Sequence, residues 1–293
     1  LRNHRAVIMI AVVGAVVAGI VNFSWSNFPR TRLLSSEQTV LPFSGLKDPN
    51  GVAVDAEGNV YVTDAGHRRV LKLASGSTSQ TVLPFTGLQN LTGVAVDDKG
   101  TVYVSYFTDG YPGAGKVVKL AGGPGGQTAL PFTDLADPRA VTVDATGNVY
   151  VADRRKHQVV KLGAGSTSQA VLPFTDLEFV QGVAVDAAGD VYATDPRTTD
   201  NRVVKLAAGS ASQTVLPFTG LNQPDGVAVG HDGSVYITDL NARKVLKLSA
   251  GSTRQSVMPF NGLNSPEGVA VDGTGAVYVA DSMNGRVLKL TAG

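Results

Sequence analysis

No cysteine occurs among the 293 residues. That excludes disulfides, thiolate metal sites and a lipid-modified cysteine anchor. Tryptophan occurs once, at Trp25, and histidine four times, at His4, His67, His157 and His231, so an acid/base or metal-ligating histidine cluster has little to draw on. There is no Gly-x-Ser-x-Gly elbow, and no His-Arg-Asp, Asp-Phe-Gly or Val-Ala-Ile-Lys segment of a protein kinase. Charge of one sign is also lacking, the formal net charge being +1.

What is present is repetition. A unit typified by Gln213 to Leu248 occurs six times, marked by Pro-Phe pairs at Pro42, Pro84, Pro131, Pro173, Pro217 and Pro259, at intervals of 42, 47, 42, 44 and 42 residues. A period of roughly 40–50 residues points to propellers or solenoids. Each unit carries four short apolar runs rich in β-branched residues, too short for helices, which read as strands. In chain order they are d (Thr214-Val215-Leu216), a (Val227-Ala228-Val229), b (Val235-Tyr236-Ile237) and c (Val245 to Leu248). Four strands per unit make a propeller blade. The first unit opens with an orphan d strand, Gln38 to Phe43, and the last ends on a c strand, Arg286 to Leu290. Inserting the first into the last blade leaves no free edge, which a solenoid cannot achieve. The expectation is an all-β, six-bladed propeller over 38–293, closed by its N-terminal strand. A proline in every d strand places that strand at the outer rim.

Ahead of the propeller, Ala6 to Val21 are sixteen consecutive apolar residues or glycines, and Trp25 ends the run. Residues 6–25 reach the ~20 residues a spanning helix needs. Arg2 and Arg5 would hold residues 1–5 in the cytoplasm, with the propeller outside. The alternative is a cleaved signal peptide, with Ser24 and Ser26 as small residues before the cut. Either way the propeller is exported, and 26–37 is a short polar linker. The expected location is the plasma membrane, single-pass, or secretion.

The variation in repeat length falls in the b–c loop. The strand-b Tyr to the first Val of strand c is 9 residues in four units, 14 in blade 2 (Tyr103 to Val117) and 11 in blade 4 (Tyr192 to Val203). Strand direction alternates, so b–c and d–a loops share one face of the disc. Variable loops on a rigid scaffold are where binding residues collect. The binding-face candidates are therefore Phe107, Asp109 and Tyr111 in blade 2, Arg154, Arg155 and Lys156 in blade 3, and Arg197, Thr198 and Thr199 in blade 4. Basic residues gather in these loops, but acids on the same face match them. A nucleic-acid surface is clearly positive, so no nucleic-acid partner is expected.

Two aspartate sets stand out. Asp55, Asp97, Asp144, Asp186 and Asp272 end strand a and would ring one channel mouth, where converging carboxylates suit Ca²⁺. The competing explanation is the Asp-x-x-Gly tight turn, in which the Asp side chain binds nearby backbone N–H groups, and its recurrence favours that. No other cofactor is suggested. Asp64, Asp153, Asp195, Asp239 and Asp281, followed by Arg69, Arg202 or Arg286, read as a blade-to-blade pairing lattice.

The repeat resembles the NHL family, through Pro49 to Val54, Gly58 to Asp64 and Arg69 to Leu73 in blade 1. The Leu-Pro-Phe-Thr-Gly-Leu and Val-Val-Lys-Leu signatures are similar to the extracytoplasmic sensor propeller of PknD-type receptor serine/threonine kinases. Departures are Tyr106 in place of the strand-b Asp in blade 2, and Gly230-His231 at the end of strand a in blade 5. The resemblance implies a membrane-anchored module that binds an extracytoplasmic ligand or protein, and not an enzyme in itself. The chain starts with Leu1, consistent with a piece of a longer kinase. The alternatives are an exported lactonase or lyase on the same scaffold, and a structural or adhesive surface protein.

Overall fold

Alternating apolar runs bounded by Gly- and Asp-rich turns pair in register to give six four-stranded antiparallel sheets, each with the order a-b-c-d. The structure, a computed structural model, describes residues 36–109, 114–121 and 126–291, all within the unit Leu34–Gly293. The segment 6–25, and most of 26–37, lie outside the described residues, as does Tyr111. Among the described residues no helix is long and apolar enough to cross a membrane.

The expected closure is present. Gln38–Val40 pairs with Arg286–Leu290, and that sheet continues through Val277–Asp281 to Pro266–Val271. The last blade thus takes its outer strand from the start of the repeat region.

Burial follows strand position. Every residue of the b strands Val60–Asp64, Val149–Asp153, Val191–Asp195, Val235–Asp239 and Val277–Asp281 is buried. In the d strands the last residue is exposed, and Val40, Val82, Val171, Val215 and Val257 stand on the rim. The apolar core is not central but divided into six clusters, each shared by two adjacent blades. One joins Tyr61 and Val70 of blade 1 to Leu88, Leu91, Val94 and Val104 of blade 2.

The d strands are shorter than the sequence suggests. They cover three residues, as in Gln38–Val40 and Gln80–Val82, and end before the proline. Pro42 instead centres a three-residue turn in which Phe43 N donates to Leu41 O at 2.8 Å, a turn whose central φ proline supplies. It swings Leu41 and Phe43 inward, against the cluster between the last and first blades.

The blades are clamped at the rim by a residue the sequence reading passed over. The Gln opening each d strand forms a reciprocal pair with the backbone just past the preceding blade's Pro-Phe. Gln80 Nε2 donates to Ser44 O at 2.9 Å while Ser44 N donates to Gln80 Oε1 at 2.9 Å. Gln127 with Thr86, Gln169 with Thr133, Gln213 with Thr175, Gln255 with Thr219 and Gln38 with Asn261 repeat it.

The aspartate–arginine pairs, expected to join blades, lie within one. Asp64 and Arg69 are directly opposite on strands b and c, with Nε to Oδ2 at 2.6 Å. The same pairing holds for Asp281 with Arg286 and Asp195 with Arg202. What they tie down is the incoming d–a loop: Asp64 Oδ1 accepts from Lys47 N, and Arg69 Nη2 donates to Gly45 O. The physical reason is register. Facing positions on adjacent strands are closer than any position on the next blade.

Candidate functional site: the channel mouth

The inner a strands of blades 1, 5 and 6 begin with Pro-x-Gly, with Leu91-Thr92-Gly93, Pro138-Arg139-Ala140 and Val180-Gln181-Gly182 in its place in blades 2, 3 and 4, and the geometry of this start builds the site. In blade 1 the pairing slips between Pro49 and Val52. The freed Gly51 N donates to the Thr63 hydroxyl of strand b at 2.7 Å. Ser105, Thr194 and Thr238 serve Gly93, Gly182 and Gly226 alike. The hydroxyls of Thr194 and Thr238 then donate across the blade boundary to the backbone oxygens of Asp225 and Glu267. Glycine is required here because the inner strands touch. A Cβ on Gly226 would lie 2.5 Å from Glu267 O, and one on Gly51 2.9 Å from Val94 N.

The bulge turns residue x towards the axis. Asn50, Thr92, Arg139, Gln181, Asp225 and Glu267, one per blade, line the channel, a cavity of about 250 Å³. The wall below them is made of valine and alanine of the inner strands. Every ring member is polar and no two are alike, in a repeat otherwise nearly uniform.

Electrostatics follow from the narrowness. Arg139 pairs with Asp137, Nε to Oδ1 and Nη2 to Oδ2 both at 3.0 Å, and its guanidinium lies 5.8 Å from the Phe107 ring centre. Arg154 covers the Phe179 ring at 5.4 Å. Burial pushes the Asp225 carboxyl well above the ordinary range, opposed by the charges of Arg139 and Arg154. Burial, and next the charge of Asp225, push Glu267 up as well, against one hydrogen bond from the Ser282 hydroxyl. Burial, with the neighbouring Arg139, lowers Arg154. Gln181 is 9% exposed, and its Oε1 is buried without a hydrogen-bond partner.

The loop candidates divide. Phe107 and Arg154 reach the mouth through these contacts. Asp109 is held by Asn90 Nδ2 at 2.8 Å, and its N–H donates to Gln89 Oε1. Lys156 pairs with exposed Asp134, and with Arg155 lines an outer groove between blades 2 and 3. Arg197 is enclosed by Asp176, Glu178 and Asp195. Thr198 and Thr199 are exposed.

At the opposite end, the aspartates Asp55, Asp97, Asp144, Asp186 and Asp272 do not converge on the axis. Each turns into its own blade. Asp55 Oδ1 accepts from Asn59 N, and its Oδ2 from Asn59 Nδ2 and the Tyr61 hydroxyl, at 2.7 to 2.9 Å. Tyr103, Tyr150, Tyr192 and Tyr278 repeat the last contact. Lysines of strand c cover five of the six tyrosine rings at 5.0 to 5.2 Å. Burial pushes Asp144 and Asp272 up, but hydrogen bonds from the turn and the tyrosine outweigh it and hold both below the ordinary value. The turn explanation accounts for these residues. Among the described residues no three His, Cys, Asp or Glu side chains group so as to hold a metal ion.

The sequence reading missed the ring. The signal was available, as the position two residues before the first valine of strand a carries a different residue in every copy.

Closed blades around a polar-mouthed channel define a six-bladed β-propeller of NHL type, and an NHL repeat is matched at residues 46–73. The chain belongs to the SMP-30/Gluconolactonase/LRE-like region family, which matches residues 106–293. It is 52% identical over 77 residues to the serine/threonine-protein kinase PknD of Mycobacterium tuberculosis (strain H37Rv). That stretch is 25% of this chain and 11% of the kinase, so the chain spans a small part of that relative. Among solved structures it is similar to a gluconolactonase from Xanthomonas campestris, with TM-score 0.72 and 15% identity over 89% of this chain and 91% of the other. It is also similar to a chain of a nidogen/laminin complex, with TM-score 0.67 and 18% identity over 76% and 85%. At these identities the structural likeness shows the fold alone.

Proposed function

We propose that the chain is the binding module of an extracytoplasmic sensor, anchored through residues 6–25 with residues 1–5 in the cytoplasm, 26–37 as linker and the propeller outside. The observation that carries it is the mouth ring, six different polar side chains at one inner position of an otherwise uniform repeat. Phe107 and Arg154 extend that ring onto the b–c/d–a face, where the long loops stand. Kinship with part of the serine/threonine-protein kinase PknD favours a sensor.

The second reading is a lactone-processing enzyme, favoured by the family match and by the fold shared with the gluconolactonase. The two readings separate on turnover. The full chain is incubated with glucono-δ-lactone and followed by acid release, beside a thermal melt in the same mixture. A saturable melt shift without acid release fits a binding module. Catalytic acid release above the spontaneous rate overturns it. A reporter at Gly293 active only outside the cytoplasm checks the topology.

A further inference from the structure

The mouth ring holds more acceptor capacity than donors to fill it. Four carboxyls (Asp48, Asp137, Asp225 and Glu267) face two guanidiniums, Arg139 and Arg154, within one network of charges. Both guanidiniums are already engaged: Arg139 with Asp137 and the Phe107 face, Arg154 with the Phe179 face and the field of Asp225. On the other side of the ring, Glu267 has only the Ser282 hydroxyl as side-chain donor. The Gln181 Oε1 has none. A buried acceptor left unmade is costly, so this atom marks a place where a donor is wanted.

The placement is specific. Asp225 and Glu267 occupy the same position at the start of the inner strands of blades 5 and 6, and Gln181 the equivalent sequence position just ahead of the blade 4 strand Val183–Val185, all three lining the channel. Their backbones are held in place: Gln181 N donates to Thr194 O, the Thr194 hydroxyl holds the Asp225 carbonyl and the Thr238 hydroxyl the Glu267 carbonyl. Three fixed acceptors on consecutive blades suit a group carrying three N–H donors and a positive charge. The valine and alanine wall suits a short apolar stem behind it. The volume of about 250 Å³ admits a small molecule and not a folded partner.

Resting on the binding-module reading and deepening it, we propose that the channel mouth is a receptor for a small primary ammonium compound, its N–H groups shared by Gln181, Asp225 and Glu267. Charge-assisted hydrogen bonds to carboxylates are the strong kind. They exchange the unfavourable crowding of two neighbouring, half-buried carboxylates for an ion pair. Binding should therefore weaken as pH falls and Asp225 and Glu267 take up protons. Asp48, Asp137, Arg139, Arg154 and Ser282 are the other charged or polar groups facing the pair.

The test uses the full chain with n-butylamine, and with 1-butanol, butyrate and calcium chloride as controls of the opposite predictions. n-Butylamine should bind saturably in calorimetry and raise the melting temperature, while the alcohol, the acid and the metal do not. Glu267→Gln, close to isosteric, should weaken n-butylamine by about tenfold or more, and Gln181→Leu should weaken it too. Either variant binding the amine as the wild type does would overturn the proposal. Butyrate binding in its place, removed by Arg154→Gln, would overturn the ammonium assignment and leave the binding-module reading standing. Calcium binding lost in Glu267→Gln would replace the amine by a metal and likewise overturn it. If no probe binds, the ammonium assignment falls, whereas the binding-module reading falls only on lactone turnover.

Discussion

Gln38 and Asn261 hold each other by two hydrogen bonds across 223 residues of chain: Gln38 Nε2 to Asn261 O at 3.2 Å, and Asn261 N to Gln38 Oε1 at 2.7 Å. The other five clamps join blades that the backbone already connects. This one works beside the strand pairing of Gln38–Val40 with Arg286–Leu290, where the ring closes without a covalent link. Gln38→Ala should cost about 1 kcal/mol and raise hydrogen exchange first in Arg286–Leu290. Deleting residues 38–43 should expose the edge of that strand and lower both melting temperature and solubility. A deletion with both unchanged would mean the ring is held some other way.

Inner-strand glycines should be intolerant where the next blade touches them. Gly226→Ala brings a Cβ to 2.5 Å from Glu267 O and 3.0 Å from Val269 N, both backbone atoms that cannot rotate aside. A cost of about 1–3 kcal/mol is expected. Blade 3 already carries Ala140 in that position, and the following inner strand pairs only over Val183–Val185. Ala140→Gly should therefore cost less than Gly226→Ala in a urea melt. Equal costs would disprove the steric account.

Stability should fall as pH rises through the range just above ordinary carboxylate values. Burial raises Glu267 and Asp225 in the folded chain, so it binds more protons than the unfolded chain in that window. The stabilising contribution is complete below the unfolded pKa and is lost as pH climbs through the raised one. Asp153 and Asp239, also raised by burial, act with the same sign. Thermal melts from about pH 6 to about pH 9 should slope downwards, and less steeply in Glu267→Gln. Asp144 and Asp272, held low, act at the acid end with the opposite sign. A wild-type melting temperature that climbs over the neutral interval would refute the assignment.

The loop arginines should separate by role. Arg154→Ala removes a cation that competes for Asp225, so it should tighten binding of an ammonium compound by about 1–3 kcal/mol with little change in the melt. Arg197→Ala removes a guanidinium shared by Asp176, Glu178 and Asp195, leaving the fully buried Asp195 with Arg202 alone. It should lower the melting temperature more than it lowers affinity. Substitutions at Ser77 or Ser166, in the c–d turns of the far face, should do neither. Binding lost at the serines and unchanged at Arg154 would put the ligand on the wrong side of the disc for this reading.

The strand plan was legible because burial repeats. Tyr61, Tyr103, Tyr150, Tyr192, Tyr236 and Tyr278 each fall six residues after the residue that ends strand a, and each is buried. Closure was legible from counting strands at the two ends. The mouth ring was not, because Pro49 to Val54 reads as one more strand until the bulge at Pro49/Val52 turns x towards the axis. The glutamine clamps were hidden for a different reason. Gln80 looks like any polar residue at a strand start, and its partner Ser44 lies 36 residues away in sequence. The aspartate–arginine pairs were seen but assigned to the wrong boundary, since spacing alone does not tell a facing strand from a neighbouring blade.

The hydroxyl relay at the start of the inner strands separates what the channel recognises from what keeps the ring intact. Thr194 and Thr238 grip the backbone carbonyls of Asp225 and Glu267 and leave those two side chains out of the scaffold. A change of side chain at position x therefore leaves the grip in place. The codons of these two positions could be rewritten to suit a different guest while the valine-lined barrel beneath them stays as it is, whereas Asn50 and Thr92 at the same position bond the backbone of the next blade and are part of the scaffold. Such a lineage would diversify by exchanging one residue per turn of the wheel, much as a combination lock changes its number without changing its body.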